Sequence, residues 1–319
     1  MENRETLISV QNLVKTYSGA RKKALDSISL SIAQGECFGL IGPNGAGKTT
    51  LMSCLLALIK PDSGTITIGG ISPNDLAVRE IVGFMPERPN FEGWLTPKEF
   101  LRMHHMLARQ NRQTADADIE ETLTRVGLEA TCWKRIIRTF SRGMLQRLGL
   151  AQALIGKPKI LFLDEPGSGM DPPGNVLLRQ LFAQFKRDQI TVVLNSHHLD
   201  EMERVCDRVA FIQAGKIEAL ESIEEMSSRP YVLDVRLLKE VGSDSAGKFI
   251  EIANLAGAQL IQVENGTAKF LVPHPDAAAK VIQQLILNGI LLKSAQPEQT
   301  VLERLFDPTA SPDTTGDGT

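Results

Sequence analysis

Residues Cys37-Phe38-Gly39-Leu40-Ile41, followed by Gly42-Pro43-Asn44-Gly45-Ala46-Gly47-Lys48-Thr49-Thr50, decide the fold. The first five are apolar enough for a buried parallel strand, and Leu51 to Ile59 beyond them reads as a helix. Between the two lies a glycine-rich loop whose Lys and Thr are spaced to hold nucleotide phosphates. Glycines at 42, 45 and 47 let the backbone turn its N–H groups inward, so amide dipoles and the helix N-terminus face one anion. Lys48 then reaches the β and γ phosphates. Thr49 offers its hydroxyl to Mg²⁺, an ion that keeps most of its waters and needs one or two protein oxygens. The expectation is a site for ATP and Mg²⁺ built on the loop from Gly42 through Thr50.

A second acidic motif extends that chemistry. Ile160-Leu161-Phe162-Leu163-Asp164-Glu165 puts two carboxylates at the C-terminal end of a buried strand, where ligands sit in open α/β sheets. Asp164 suits the surroundings of the magnesium ion. Glu165, one residue on, is placed to orient and deprotonate the water that attacks the γ-phosphate.

Between these motifs lies Phe140-Ser141-Arg142-Gly143-Met144-Leu145-Gln146-Arg147, which resembles the signature sequence of the ATP-binding cassette (ABC) family. The resemblance covers about residues 5 to 220 and implies a P-loop α/β cassette with a mixed sheet and a helical subdomain. It also implies two cassettes packed head to tail, each ATP held by the phosphate loop of one and the signature of the other. Ser141, Gly143 and Met144 are then nucleotide contacts made across a homodimer. Ser141 reads as a helix N-cap, so the amides and dipole behind it can face a phosphate.

Further positions carry over singly. Tyr17 resembles the family's adenine-stacking aromatic. Gly169-Met170-Asp171 resembles the D-loop, with Asp171 bridging the two cassettes. Asn195-Ser196-His197 follows a buried strand as the switch histidine does, and His197 fits the pattern better than His198 because it directly follows Ser. Two positions depart from the pattern. Glu87 in Phe84-Met85-Pro86-Glu87-Arg88 stands where many cassettes have a glutamine that touches Mg²⁺; a carboxylate can ligate the ion but adds charge beside phosphates. Arg142 stands where glycine is commonest, and a cation in the first helical turn opposes the dipole, so either a phosphate or acidic group lies near it or the side chain points into water.

The 319 residues bound the remaining possibilities: two domains, 42% hydrophobic and 23% charged residues, and a net charge of -3. No basic surface for nucleic acid is expected. The charged opening Met1-Glu2-Asn3-Arg4-Glu5 reads as a lead into a strand, not a secretory signal, which makes the protein cytoplasmic. No apolar run reaches the roughly 18 residues of a membrane helix, so any membrane role is peripheral, on the cytoplasmic face of the inner membrane. Cysteines 37, 54, 132 and 206 lack CxxC spacing and read as reduced thiols.

Thr6 to Val14 reads as an edge strand and Ala24 to Ile32 as its antiparallel neighbour. A capping box at Thr96-Pro97-Lys98-Glu99 opens a helix to about Arg109; Asp118 to Val126 and Ser141 to about Ile155 give two more. The expected domains are 1–226, a cassette with its helical subdomain at about 91–156; 227–306, a ferredoxin-like βαββαβ unit serving regulation or dimerisation; and a disordered tail at 307–319.

Thr300-Val301-Leu302-Glu303-Arg304-Leu305-Phe306, Pro86-Glu87 and the basic signature residue resemble ATPases of bacterial exporters of drugs, peptides, lipids and polysaccharides. That likeness implies separate polytopic membrane permease subunits as partners. A soluble ABC ATPase acting on nucleic acid or ribosomes is the alternative, though long coiled-coil insertions, tandem cassettes and basic surfaces are missing from the sequence.

Overall fold

The computed structural model describes residues 5–239 and 246–303. The chain divides into two compact units, at Leu220 and Glu221. In the first, β1 (Thr6–Lys15), β2 (Leu25–Ala33), β3 (Cys37–Ile41), α1 (Lys48–Leu55), β4 (Ser63–Ile68), α2 (Leu76–Ile81) and β5 (Val82–Met85) lead into helices α3 (Pro97–Leu107), α4 (Ala115–Arg125) and α5 (Arg142–Leu154). The chain then returns to sheet through β6 (Ile160–Asp164), α6 (Pro172–Arg187), β7 (Thr191–Asn195), α7 (Leu199–Val205), β8 (Arg208–Gln213) and β9 (Lys216–Ser222).

Two sheets result. One is antiparallel, in the order β2-β1-β4. The other runs β5-β6-β7-β3-β8-β9, and β5, β6, β7, β3 and β8 pair in parallel. Every residue of β3, β6 and β7 is buried, as strands covered on both faces require. Leu51, Met52 and Leu55 of α1 share one apolar core with Ile8, Val10 and Ile28 of the antiparallel sheet and with Phe38, Phe162 and Val193 of the parallel one. The helix behind the phosphate loop is therefore held by both sheets.

Strand β1 is central, not an edge. Polar Gln11 and Asn12 interrupt its alternation, but the register shifts there and Asn12 takes a left-handed conformation (φ 49°), so Val10 and Leu13 both stay buried. The neighbour that makes it central, β4, carries too little alternation to announce its full length. A similar shift at Ser27 (φ 60°) keeps Leu25 and Ile28 on one face.

In the helical arm, Thr96 and Glu99 form the reciprocal capping box, with Pro97 opening α3. Helix α4 starts at Ala115, ahead of the expected Asp118, because Asp118 is buried and accepts hydrogen bonds from Lys157 Nζ (2.7 Å), Thr114 Oγ1 (2.6 Å) and His105 Nε2 (3.0 Å). Ser141 caps α5 by accepting from the Met144 amide. Helix α1 covers Lys48–Leu55 rather than Leu51 to Ile59, and Ala57 in the left-handed region (φ 55°) stops it short.

The second unit opens with α8 (Ile223–Ser227), followed by β10 (Tyr231–Leu237), α9 (Ala246–Ala256), β11 (Gln259–Glu264), β12 (Thr267–Val272), α10 (Pro275–Leu287) and β13 (Leu292–Pro297). Its antiparallel sheet has the order β11-β12-β10-β13, the arrangement of a split βαββαβ unit. Leu233, Val235, Ala268 and Phe270 of the strands pack with Phe249, Ile252, Val281 and Leu285 of the helices. Beyond it, Thr300 and Glu303 cap each other reciprocally and Leu302 is fully buried. Arg304 to Phe306 and the tail 307–319 lie outside the described residues.

Candidate functional site

The phosphate loop connects β3 to α1, and two of its glycines are there for space. A Cβ on Gly42 (φ 146°) would stand 2.0 Å from the Ile212 carbonyl oxygen; one on Gly47 (φ 113°) would stand 2.5 Å from that of Ala24. Gly47 is also the N-cap of α1 and supplies no side-chain cap, so the first amides of the helix stay open to an anion. Lys48 Nζ lies over the loop, donating to the carbonyl oxygens of Gly42 (2.7 Å) and Pro43 (3.1 Å).

A cavity of about 700 Å³ opens on this loop. Asn44, Gly45, Ala46, Gly47, Lys48, Thr49 and Thr50 line it together with Tyr17, Glu87, Glu165 and His197; Gly42 does not. Tyr17 is exposed, with its hydroxyl 3.3 Å from Thr50 Oγ1. Three residues that the sequence did not single out also line it: Ala24, Ser168 and Asn195. Asn195 carried a signal, since it ends a buried strand one position before the Ser-His pair. Ser168 carried none.

The carboxylates differ in setting. Asp164 is buried and its Oδ1 accepts from Asn195 Nδ2 at 2.6 Å. Burial pushes its pKa up from 3.8; the Glu165 and Glu87 charges push the same way, against the Asn195 hydrogen bond and Lys48. Glu165 sits in the left-handed region (φ 50°), which turns its side chain off the strand axis into the cavity. Its Oε2 is 2.8 Å from His197 Nδ1 and 3.4 Å from Ser196 Oγ. Burial lowers the Lys48 pKa, opposed by Glu165 and Asp164. Glu87 is half exposed, 3.5 Å from Arg88 Nε.

Oxygen ligands predominate: Thr49, Glu87, Glu165 and Asn195 line the cavity, Asn195 Oδ1 is buried without a hydrogen-bond partner, and Asp164, outside the lining, is hydrogen-bonded to Asn195 Nδ2. Burial raises the Asp164 pKa, and the neighbouring Glu165 and Glu87 charges add to it. This set fits Mg²⁺, a hard cation that needs few protein oxygens when phosphates supply the rest. Among the described residues no three His, Cys, Asp or Glu groups converge to hold a metal unaided.

The signature and D-loop residues lie elsewhere. Ser141, Gly143, Met144 and Asp171 do not line the cavity. Asp171 N-caps α6 through the Gly174 amide (3.0 Å) and stands 3.6 Å from Arg147 Nη2. Among the described residues Arg142 is ion-paired with no carboxylate; its Nη2 donates to Ser168 Oγ at 2.7 Å.

Residues 25–168 match the model of the ABC transporter family. A protein described as an uncharacterized ABC transporter ATP-binding protein, YcbN of Bacillus subtilis (strain 168), is 33% identical over 307 residues, spanning 94% of this chain and 95% of its own length. The chain belongs to the ABC transporter ATP-binding proteins. It is also similar to the linearmycin resistance ATP-binding protein LnrL of Bacillus subtilis (strain 168), at 30% identity over 94% of this chain and 97% of that protein. The daunorubicin resistance ATP-binding protein DrrA3 of Streptomyces coeruleorubidus is 31% identical over 95% of each. Among solved structures, a dimeric ATP-binding cassette in a post-hydrolysis state with ADP and Pi bound superposes with a TM-score of 0.63 at 26% identity, covering 68% of this chain and 99% of that one. The molecule is thus an ABC ATPase, the ATP-hydrolysing subunit of a transporter.

Proposed function

We propose that this ABC ATPase works as a homodimer on the cytoplasmic face of the membrane, using Mg²⁺-ATP to drive export through separate polytopic permease subunits. One observation carries the reading: the signature residues Ser141, Gly143 and Met144 are absent from the lining of their own chain's cavity, so a second copy must supply them to complete a site. The dimeric cassette with ADP and Pi supports the same arrangement. Export follows from the resistance proteins, similar along nearly the whole chain. No helix among the described residues is long and apolar enough to cross a membrane, so the passage for cargo belongs to partner subunits.

The residue roles in this reading come from the family resemblance, and the cavity lining supports them. Tyr17 stacks on the base, the loop amides and Lys48 hold the phosphates, and Lys48 exchanges its bonds to Gly42 and Pro43 for phosphate oxygens. Thr49, Asp164 and Glu87 would hold a magnesium ion, which would supply Lewis-acid stabilisation of phosphate charge. Glu165 accepts a proton from the attacking water, and His197, bonded to its Oε2, fixes that carboxylate. Asp171 of each copy lies at the seam. The exposed Trp94 side chain, with Phe91 and Leu95 beside it in sequence, receives the permease.

The deciding experiment is purification of a Glu165→Gln version from native membranes with Mg²⁺-ATP, followed by mass spectrometry. Recovery of a polytopic membrane protein is expected. Recovery of a soluble dimer with ribosomal or DNA-repair proteins would overturn the transporter assembly.

A further inference from the structure

Helix α5 begins in the signature and grips, along one side, the turn that follows the acidic strand. Arg142 Nη2 donates to Ser168 Oγ at 2.7 Å. One helical turn on, Gln146 Nε2 donates to the Glu165 carbonyl oxygen at 2.8 Å. Arg147 Nη2 stands 3.6 Å from Asp171 Oδ1. Arg142 and Gln146, four residues apart, share a helix face. Arg142 bonds the side chain of one cavity-lining residue, Ser168, and Gln146 the main chain of another, Glu165.

Arg142 opposes the dipole of its own helix, and no carboxylate lies within ion-pair distance of it among the described residues. Its place is explained by Gly169. That residue is left-handed (φ 76°), and a Cβ there would fall 2.4 Å from Arg142 Nε, 2.5 Å from its Cδ and 2.8 Å from its Cγ. The arginine stem therefore lies flat across the glycine. The missing side chain at 169 is the channel through which the guanidinium reaches Ser168.

We infer that Arg142 is a positioning residue for ATP hydrolysis: lying across Gly169, it fixes the Ser168 hydroxyl at the edge of the nucleotide cavity of its own chain. The inference rests on the nucleotide reading of that cavity. Arg142 adjoins Ser141, so a nucleotide seated on the signature by the second copy moves the residue that sets Ser168. Planarity matters as well as charge, because a guanidinium can lie over a backbone and donate sideways where an ammonium offers a point charge.

The test is a double-mutant cycle on the full chain, read as steady-state ATP hydrolysis, with binding of a fluorescent ATP analogue measured in parallel. Arg142→Ala is expected to lower kcat about tenfold while leaving KM for ATP within about twofold. Ser168→Ala should do the same, and the double variant should be no slower than either single one. Arg142→Lys should recover only part of the loss. Gly169→Ala should slow the wild-type background but add little to Arg142→Ala, which separates displacement of the arginine from backbone strain. Wild-type kcat in Arg142→Ala or full recovery in Arg142→Lys would overturn the inference; so would a double variant whose losses multiply. With analogue binding intact, those outcomes leave the cavity reading standing. A wild-type chain that failed to bind the analogue would overturn both.

Discussion

His197 Nδ1 and Glu165 Oε2 lie 2.8 Å apart, although the histidine ring is largely exposed and the carboxylate is not. A hydrogen bond between an outer ring and an inner carboxylate fixes the direction of the carboxylate without burying a second charge. The Glu165 main chain is tied as firmly: its carbonyl accepts from Gln146, and its amide donates to the Asn195 carbonyl at 2.8 Å.

Glu165→Gln keeps size and shape but loses the basic oxygen. It is expected to lower kcat by about 10²–10⁴-fold, the range of a general base, with nucleotide affinity retained. Rapid-quench turnover beside equilibrium binding checks both halves. His197→Ala should lower kcat as well, because Glu165 is then free to turn.

Asp164 is expected to show a trade of stability against chemistry. Its folded-state pKa is raised above 3.8, chiefly by burial. Between those two values the folded chain binds more protons than the unfolded one, so stability falls as pH rises through the window, and at neutral pH the ionised group is a net cost. Asp164→Asn should raise Tm by about 2–4 °C without nucleotide and cut ATP hydrolysis by about a hundredfold or more. Calorimetry and a coupled ATPase assay measure the two.

Asp118 should behave in the opposite sense. Hydrogen bonds from Lys157, then Thr114 and His105, hold its pKa well below 3.8. The stability it contributes is fully present above 3.8 and is lost as pH falls through the depressed value. Asp118→Ala is expected to cost about 3 kcal/mol at pH 7, because the fully buried His105 loses its partner. The gap from wild type in urea unfolding should narrow as the pH drops below 3.8.

Trp94 is 73% exposed and lies outside the nucleotide cavity. Trp94→Ala should leave ATP hydrolysis by the isolated protein unchanged and abolish co-purification with membrane subunits. Unchanged co-purification would remove Trp94 from the docking surface.

What the sequence disclosed was what neighbouring residues determine. The order strand, glycine loop and helix is local, and so are the caps at Thr96 and Ser141, because each depends on side chains within four positions. What it withheld depends on pairing across long stretches. Strand β1 looked like an edge because the partner that makes it central, β4, lies beyond the whole phosphate loop. Asp118 read only as the opening of a helix, and nothing near it in sequence announced its burial, since Lys157, its first partner, is far along the chain. Ser168 had no mark of its own; it reaches the cavity because Glu165 bends the chain and Arg142 holds the turn.

The left-handed backbone at Glu165 sets selection for heat resistance against selection for turnover. A non-glycine residue held there carries strain on the order of 1 kcal/mol, and glycine would relieve it. A library screened only for survival at high temperature would therefore favour glycine at 165 and collect well-folded chains that hold ATP and leave it intact. Breeding a hardier version of this protein requires a screen that counts phosphate released.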